Sequence, residues 1–244
     1  MADNKQLSGR IVLVTGASRG IGYAAAKEAA RRGAHVLAVA RTVGGLEELD
    51  DEIQAIGGSS TLVPLDLREG DAIDQLGRSI FERWGRLDGL IGNAGALGTL
   101  SPVPHLSPDE FDKVFRLNVT ANFRLIRSLD LLLRQSAAGR AVFVSSGAAR
   151  SARPYWGLYA ATKAAVEAMV KSYAGEMEST PVRVNVFYPG AVRTAMRARA
   201  MPGEDPETLP PPAEVAPRLI DMVEPGYEQN GALFDFKSGE TRPL

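Results

Sequence analysis

Short apolar runs alternate along this chain with longer segments of helical period. Ile11–Val14, Val36–Ala40, Thr61–Leu65, Leu87–Ile91, Ala141–Val144, Val182–Phe187 and Ala232–Phe234 read as strands. Helices are predicted between them, through Ala24–Arg32, Leu46–Ile56, a segment ending near Trp84, Asp109–Arg134 and Tyr159–Met177. The strands are continuous Val/Ile/Leu runs, which marks strands covered by helices on both faces. Strand–helix alternation repeated this often predicts a doubly wound α/β Rossmann domain. Its parallel, seven-stranded sheet would carry helices on both faces. Ligands of such folds bind beyond the carboxyl ends of the strands.

No Pro-, Gly-, Ser- or charge-rich stretch divides the 244 residues. One domain over residues 1–244 is therefore expected, with a nucleotide-binding core over about 9–190. Met201–Pro217 differs, because it carries Pro202, Pro206, Pro210, Pro211, Pro212 and Pro217. Proline lacks the helical N–H and clashes with the preceding turn. The segment from about 195 to 217 is therefore expected to be a loop without regular helix, placed as a lid.

Composition narrows the chemistry. With 45% hydrophobic residues the chain can bury a large core. It has no cysteine, so disulfides and thiolate chemistry are excluded, and His35 and His105 are too few for a histidine-rich metal site. No metal is expected. A net charge of -1 gives no electrostatic reason to expect nucleic acid or an anionic membrane. The first residues, MADNKQLSGR, are polar, and no apolar run approaches the ~20 residues that span a bilayer. The expected location is the cytoplasm.

Thr15-Gly16-Ala17-Ser18-Arg19-Gly20-Ile21-Gly22 follows the first strand and opens a helix. Glycines allow a tight turn and close approach of backbone to a pyrophosphate, and the helix N-terminus supplies free N–H groups. The second strand ends in Ala40-Arg41-Thr42, and no Asp or Glu occurs between Glu28 and Glu47. A carboxylate there would accept from ribose hydroxyls. A guanidinium would instead bind a 2′-phosphate in forked geometry, and Arg19 can reach the same region. Tyr159 and Lys163 stand four residues apart, on one face of a predicted helix. A free tyrosine has a pKa of about 10, and a nearby ammonium would lower it toward useful proton transfer. Ser145 and Ser146 both lie just past the strand that ends at Val144.

The spacing Gly16, Gly20, Gly22 resembles the TGxxxGxG pattern of the short-chain dehydrogenases/reductases, and the resemblance runs over nearly the whole chain. It implies that Gly16, Ser18, Arg19, Gly20, Ile21 and Gly22 hold the nucleotide. Asp66 and Leu67 resemble that family's adenine contact. Asn93, Ala94 and Gly95 resemble the end of its NNAG motif, with Gly92 in place of the first Asn. Pro189, Gly190, Val192 and Thr194 resemble its nicotinamide loop. The family spacing favours Ser146 over Ser145, so Ser146, Tyr159 and Lys163 resemble its catalytic set, joined by Asn118 as the residue that bends a helix and supports a proton relay. Lys163 and Tyr159 also count among cofactor contacts. Basic residues at Arg19 and Arg41 go with NADP(H) in this family.

The resemblance implies hydride transfer between NADP(H) and a carbonyl or secondary alcohol, in a homo-oligomer, dimer or tetramer. The substrate pocket would lie among Ala96–His105, Gly147–Gly157 and Ala195–Pro212. The ending Ala232–Phe236 departs from the family's Asp-Gly-Gly. Two other readings stay open: a non-catalytic NADP-binding regulator, and a sugar-nucleotide epimerase or dehydratase of the extended relatives. An intact Ser146, Tyr159, Lys163 set speaks against the first. The short chain after Pro189 speaks against the second.

Overall fold

In a computed structural model, residues 5–244 are described; the polar N-terminal reading falls partly on residues 1–4, which lie outside them. Eight strands form one sheet: β1 (Ile11–Thr15), β2 (His35–Ala40), β3 (Ser59–Pro64), β4 (Gly89–Gly92), β5 (Arg140–Val144), β6 (Arg183–Tyr188), β7 (Ala232–Asp235) and β8 (Glu240–Pro243), in the order β3-β2-β1-β4-β5-β6-β7-β8. The first seven run parallel, as expected. The eighth, which corrects the expected count, pairs antiparallel with β7 across a tight hairpin. Its residues carry two charges and a proline and no apolar run, so periodicity does not reveal it; such residues suit an edge that resists further pairing.

The helices are α1 (Gly20–Arg31), α2 (Val43–Ala55), α3 (Gly70–Trp84), α4 (Pro108–Phe115), α5 (Ala121–Arg134), α6 (Ala148–Ser151), α7 (Gly157–Glu176), α8 (Ala195–Ala200) and α9 (Pro212–Asp221). Strand side chains alternate between two cores. Leu13, Leu90, Phe143 and Val184 pack with α3, α5 and α7. Val12, Val14, Val36 and Val142 pack with α1, α2 and α9 on the other face. Burial on both sides is why the strands read as unbroken apolar runs.

Two expectations about helices are corrected. The predicted helix Asp109–Arg134 is interrupted by a π turn at Arg116–Thr120. The expected loop to residue 217 instead contains α8, a 3-10 turn at Pro206–Thr208 and most of α9. Pro212 and Pro211 suit a helix start, but Pro217 lies inside α9. An interior proline costs about 3 kcal/mol. Burial of Val215, Leu219 and Ile220 on that helix, at about 1.5–3 kcal/mol each, outweighs it.

The strand order reverses at β1, whose neighbours are β2 and β4. The crevice at the carboxyl ends of β1 and β4 is therefore the place where a ligand fits.

Candidate active site

Thr15 closes β1 and is fully buried. Its hydroxyl donates to the Ile91 carbonyl at 3.2 Å and accepts from the N–H groups of Asn93 and Ala94 at 2.9 and 3.0 Å. Asn93 Nδ2 donates back to the Thr15 carbonyl at 2.9 Å. These bonds lock the ends of β1 and β4 together at the switch point. Thr15 is a structural anchor of the crevice that the sequence reading did not single out; its signal is a polar residue ending an apolar strand.

The glycine turn follows. Gly16 and Gly20 have φ of +67° and +61°, a region costly for other residues. A Cβ on Gly22 would collide with the Gly16 carbonyl oxygen, and one on Gly16 would stand 2.9 Å from Asn93 Nδ2. Ala17 N donates to the Val39 carbonyl at 3.2 Å. A Cβ on Gly45 would stand 2.7 Å from the Ser18 carbonyl oxygen, so Ser18 is wedged against α2. Ile21 packs on the α1-side core. Arg19 caps α1 without a side-chain hydrogen bond, and the first turn holds no acid. A helix start with uncapped N–H groups, a positive dipole end and room for close approach fits a pyrophosphate.

Across the crevice, a Cβ on Gly20 would meet the Thr194 methyl at 3.6 Å. Thr194 also caps α8, accepting from Arg197 N at 3.2 Å. Pro189 and Gly190 follow β6 directly, and Val192 is buried in the α1-side core, which leaves its backbone for any ligand contact. The loop after β6 thus faces the glycine turn.

At the far end of the crevice, Arg19 and Arg41 are exposed. The acid missing from the end of β2 is supplied from elsewhere: Asp66 Oδ2 lies 3.8 Å from Arg41 Nη1. That carboxylate is already engaged by Arg68, with Nε to Oδ1 at 3.0 Å and Nη2 to Oδ2 at 2.5 Å. Arg68 above all, then Arg41, holds the Asp66 carboxyl below the usual range. Arg68 escaped the sequence reading. The Leu67 side chain is only 5% exposed and belongs to the core, so its backbone is the part available to a ligand.

Asn118 and Lys163 converge beside Gly95. A Cβ there would meet Asn118 Oδ1 at 3.4 Å and Lys163 Nζ at 3.6 Å. Lys163 Nζ donates to the Val144 carbonyl at 2.8 Å. It lies 5.7 Å from the Tyr159 ring centre. Asn118 is the middle residue of the π turn, a feature that often marks function. Its Oδ1 accepts from Ala96 N at 2.8 Å, and its Nδ2 donates to the Ala96 carbonyl at 2.9 Å and to Thr162 Oγ1 at 3.0 Å. Asn122 Nδ2 donates to the Asn118 carbonyl at 2.6 Å. Thr162 and Asn122 are supporting residues that the sequence reading missed. Gly92 also finds its reason: a Cβ there would collide with Phe143 and stand 2.8 Å from Asn122 Oδ1, so an Asn has no room.

The electrostatics correct one expectation. Burial pushes the Tyr159 phenol up to about 12, against a hydrogen bond from Ser146 that pulls it down. Burial lowers Lys163 to about 8, with the Glu167 carboxylate opposing. Ser146, rather than Ser145, is the serine bonded to Tyr159.

The three segments expected to form the pocket do meet. Leu97, Ala148, Tyr159 and Ala160 form a separate small apolar cluster, with Leu100, Trp156 and Ala200 packed against it. Ser101 N donates to the Tyr155 carbonyl at 3.0 Å, and Tyr155 holds φ of +74°, unusual for a bulky residue. The arginines of the last segment are engaged within the protein. Arg197 pairs with Glu204 through two 2.6 Å bonds, Arg193 with Glu207 at 2.9 Å, and Arg199 donates to the Gly98 carbonyl at 2.8 Å.

No helix among the described residues is long and apolar enough to cross a membrane. The short chain dehydrogenase family profile matches residues 10–205. The uncharacterized oxidoreductase YciK of Escherichia coli K12 is 39% identical over 237 residues, 96% of this chain and 94% of that one. Versicolorin reductase stcU of Emericella nidulans is 34% identical over 197 residues, covering 80% and 74%. Among solved structures, a short chain dehydrogenase from Shigella flexneri complexed with NADP superposes with a TM-score of 0.91 at 39% identity, covering 95% of this chain and 98% of that one. A second, from Escherichia coli CFT073 complexed with NADPH, gives 0.89 at 39% identity and the same coverage. With its glycine turn, its switch-point crevice and these relatives, the chain belongs to the short-chain dehydrogenase family.

Proposed function

We propose that this protein transfers a hydride between NADP(H) and a carbonyl or secondary alcohol, with Tyr159 as the acid/base. The observation that carries the reading is the convergence of Ser146, Tyr159 and Lys163 on one buried point at the carboxyl edge of the sheet. When bound, the nicotinamide supplies or accepts the hydride. Tyr159 Oη gives its proton to the carbonyl oxygen in reduction and takes it from the alcohol in oxidation. A phenol that burial keeps protonated is suited to the donor role. Ser146 holds the substrate oxygen in line with that proton. Lys163 binds ribose hydroxyls and holds positive charge beneath the ring, and Asn118 fixes the floor of the site through Ala96. Thr194 and the Val192 backbone receive the carboxamide. The glycine turn takes the pyrophosphate, and Arg19 and Arg41 take the 2′-phosphate. NADP and NADPH in the two solved relatives support that choice. The apolar wall of Leu97, Leu100 and Trp156 favours an apolar carbonyl. Phe123 and Leu131, exposed on α5, support association into a homo-oligomer, which light scattering of the eluting protein would read directly.

The test is a pair of variants. Tyr159→Phe should lower kcat by ~10²–10⁴ on any accepted carbonyl while leaving NADPH affinity within threefold. NADPH should bind at least about tenfold more tightly than NADH, about 1.4 kcal/mol, and Arg41→Asp should erase the difference. Retained turnover in Tyr159→Phe overturns the acid/base role; equal affinities overturn the cofactor choice.

A further inference from the structure

Glu167 stands one helical turn beyond Lys163 and two beyond Tyr159, so the three follow one side of α7. It is largely buried, with 14% of its side chain exposed. Its carboxylate has two partners from other elements. Ser145 Oγ donates to Oε1 at 2.6 Å, and Arg150 Nε on α6 lies 3.5 Å from Oε2. One residue earlier, the Val144 carbonyl accepts from Lys163 at 2.8 Å. Two consecutive residues leaving β5 are therefore tied to two consecutive turns of α7. The next residue is Ser146, whose hydroxyl bonds Tyr159 and accepts from Ala148 N at 3.2 Å.

We propose that Glu167 is a positioning residue for the proton-handling set. Its carboxylate clamps the strand exit that carries Ser146 to the helix that carries Tyr159 and Lys163, and provides the counter-charge for the buried ammonium. The proposal rests on the reading of Ser146, Tyr159 and Lys163 given above. The physical case has two parts. Ser146 can hold a substrate oxygen in line with Tyr159 only if β5 and α7 keep their separation, and a small misplacement in such a set is costly. A buried ammonium also needs an opposite charge nearby to stay protonated. Around Lys163, the Val144 carbonyl comes from β5, Asn118 from the π turn, and Tyr159 and Glu167 from its own helix; Arg150 from α6 faces the far oxygen of Glu167. Glu167 is the anion among them.

Two variants separate the parts. Glu167→Gln keeps an acceptor for Ser145 but removes the charge. Ser145→Ala keeps the charge but cuts the clamp. The first readout needs no substrate: the titration midpoint of Lys163, followed by NMR of its labelled ε-carbon in the free protein. It should fall by about one unit or more in Glu167→Gln and stay within a few tenths in Ser145→Ala. The second readout is amide exchange at residues 146–151. It should speed up at least tenfold in Ser145→Ala while Val166 and Val170, in the core of α7, keep their protection. An unmoved Lys163 midpoint in Glu167→Gln overturns the counter-charge role, and unchanged exchange in Ser145→Ala overturns the clamp. Tyr159→Phe assayed in parallel keeps the two questions apart. A dead Tyr159→Phe beside an unmoved midpoint and unmoved exchange sinks this proposal alone; a fully active Tyr159→Phe sinks the reading beneath it.

Discussion

The side chains of Asn118, Thr15 and Lys163 make their hydrogen bonds inside the protein, to backbone groups of β4, β5 and the chain that follows β4 and to the Thr162 hydroxyl. Above them, residues 193–209 combine short helical turns with two ion pairs, Arg193 with Glu207 at the surface and Arg197 with Glu204 half-buried. The first region lies where water is excluded, so an unmade bond is expensive there. The second lies where water and salt compete, so each bond contributes little. The contrast teaches how one chain can hold the floor of the crevice rigidly while keeping the segment above it more loosely tied.

The largest expected break is at Asn118. Asn118→Ala removes three side-chain bonds and leaves the Ala96 N–H and C=O without partners. At ~1–3 kcal/mol for each buried orphan, the loss should be about 2–5 kcal/mol, or roughly 5–15 °C in Tm, with turnover lost in the fraction that folds. Calorimetry decides it; a drop under about 2 °C would mean the floor of the site is not held by this residue.

A smaller effect sharpens the electrostatic side. Burial holds Lys163 at about 8, below the ordinary lysine value of 10.5. Between those values the unfolded chain keeps a proton that the folded chain has released, so stability rises with pH across that window. In Lys163→Met that contribution is gone. The Tm of the parent relative to Lys163→Met should climb steadily from pH 7 to pH 10. A difference that stays flat across the range would show that the buried lysine keeps its ordinary affinity for protons.

The smallest effect is expected in the lid. Glu204→Gln cuts the paired bonds to Arg197; the pair is half-buried, so the Tm should fall by no more than about 3 °C, the effect of losing one such ion pair in a chain of this length. Amide exchange over 195–204 should nevertheless quicken several-fold. With Thr194 proposed as a contact to the nicotinamide, NADPH should slow exchange over 195–209 in the parent. If the variant lost stability while its lid exchange stayed unchanged, the two regions would not differ in the way described.

The sequence made much of this legible. β1, β2, β4 and β5 announced themselves because burial on both faces leaves few polar interruptions, while the half-exposed β3, and β6 with its Arg183 and Asn185, were read through their Val and Leu residues. The glycine turn and the Tyr159–Lys163 spacing were visible because backbone close approach and a shared helix face both leave fixed intervals. What escaped has physical reasons too. β8 lacks an apolar run because only its backbone pairs, with β7. α9 hid behind Pro217 because proline's cost is visible in a sequence, while the apolar burial that offsets it is not. The π turn at Asn118 adds one residue to a turn, too little to disturb an amphipathic pattern. The upward shift of Tyr159 depends on depth, which spacing does not report. Arg68 and Glu167 act through partners that only the fold brings close.

The fate of one hydrogen tests the proposed chemistry most directly. NADPH carrying deuterium at the transferable position of its nicotinamide, incubated with the parent protein and a panel of apolar ketones and quinones, should leave deuterium on the carbinol carbon of at least one product. Tyr159→Phe, shown by fluorescence titration to bind the same nucleotide, should leave almost none. Label appearing equally with both proteins, or with neither while NADPH is bound, would contradict it.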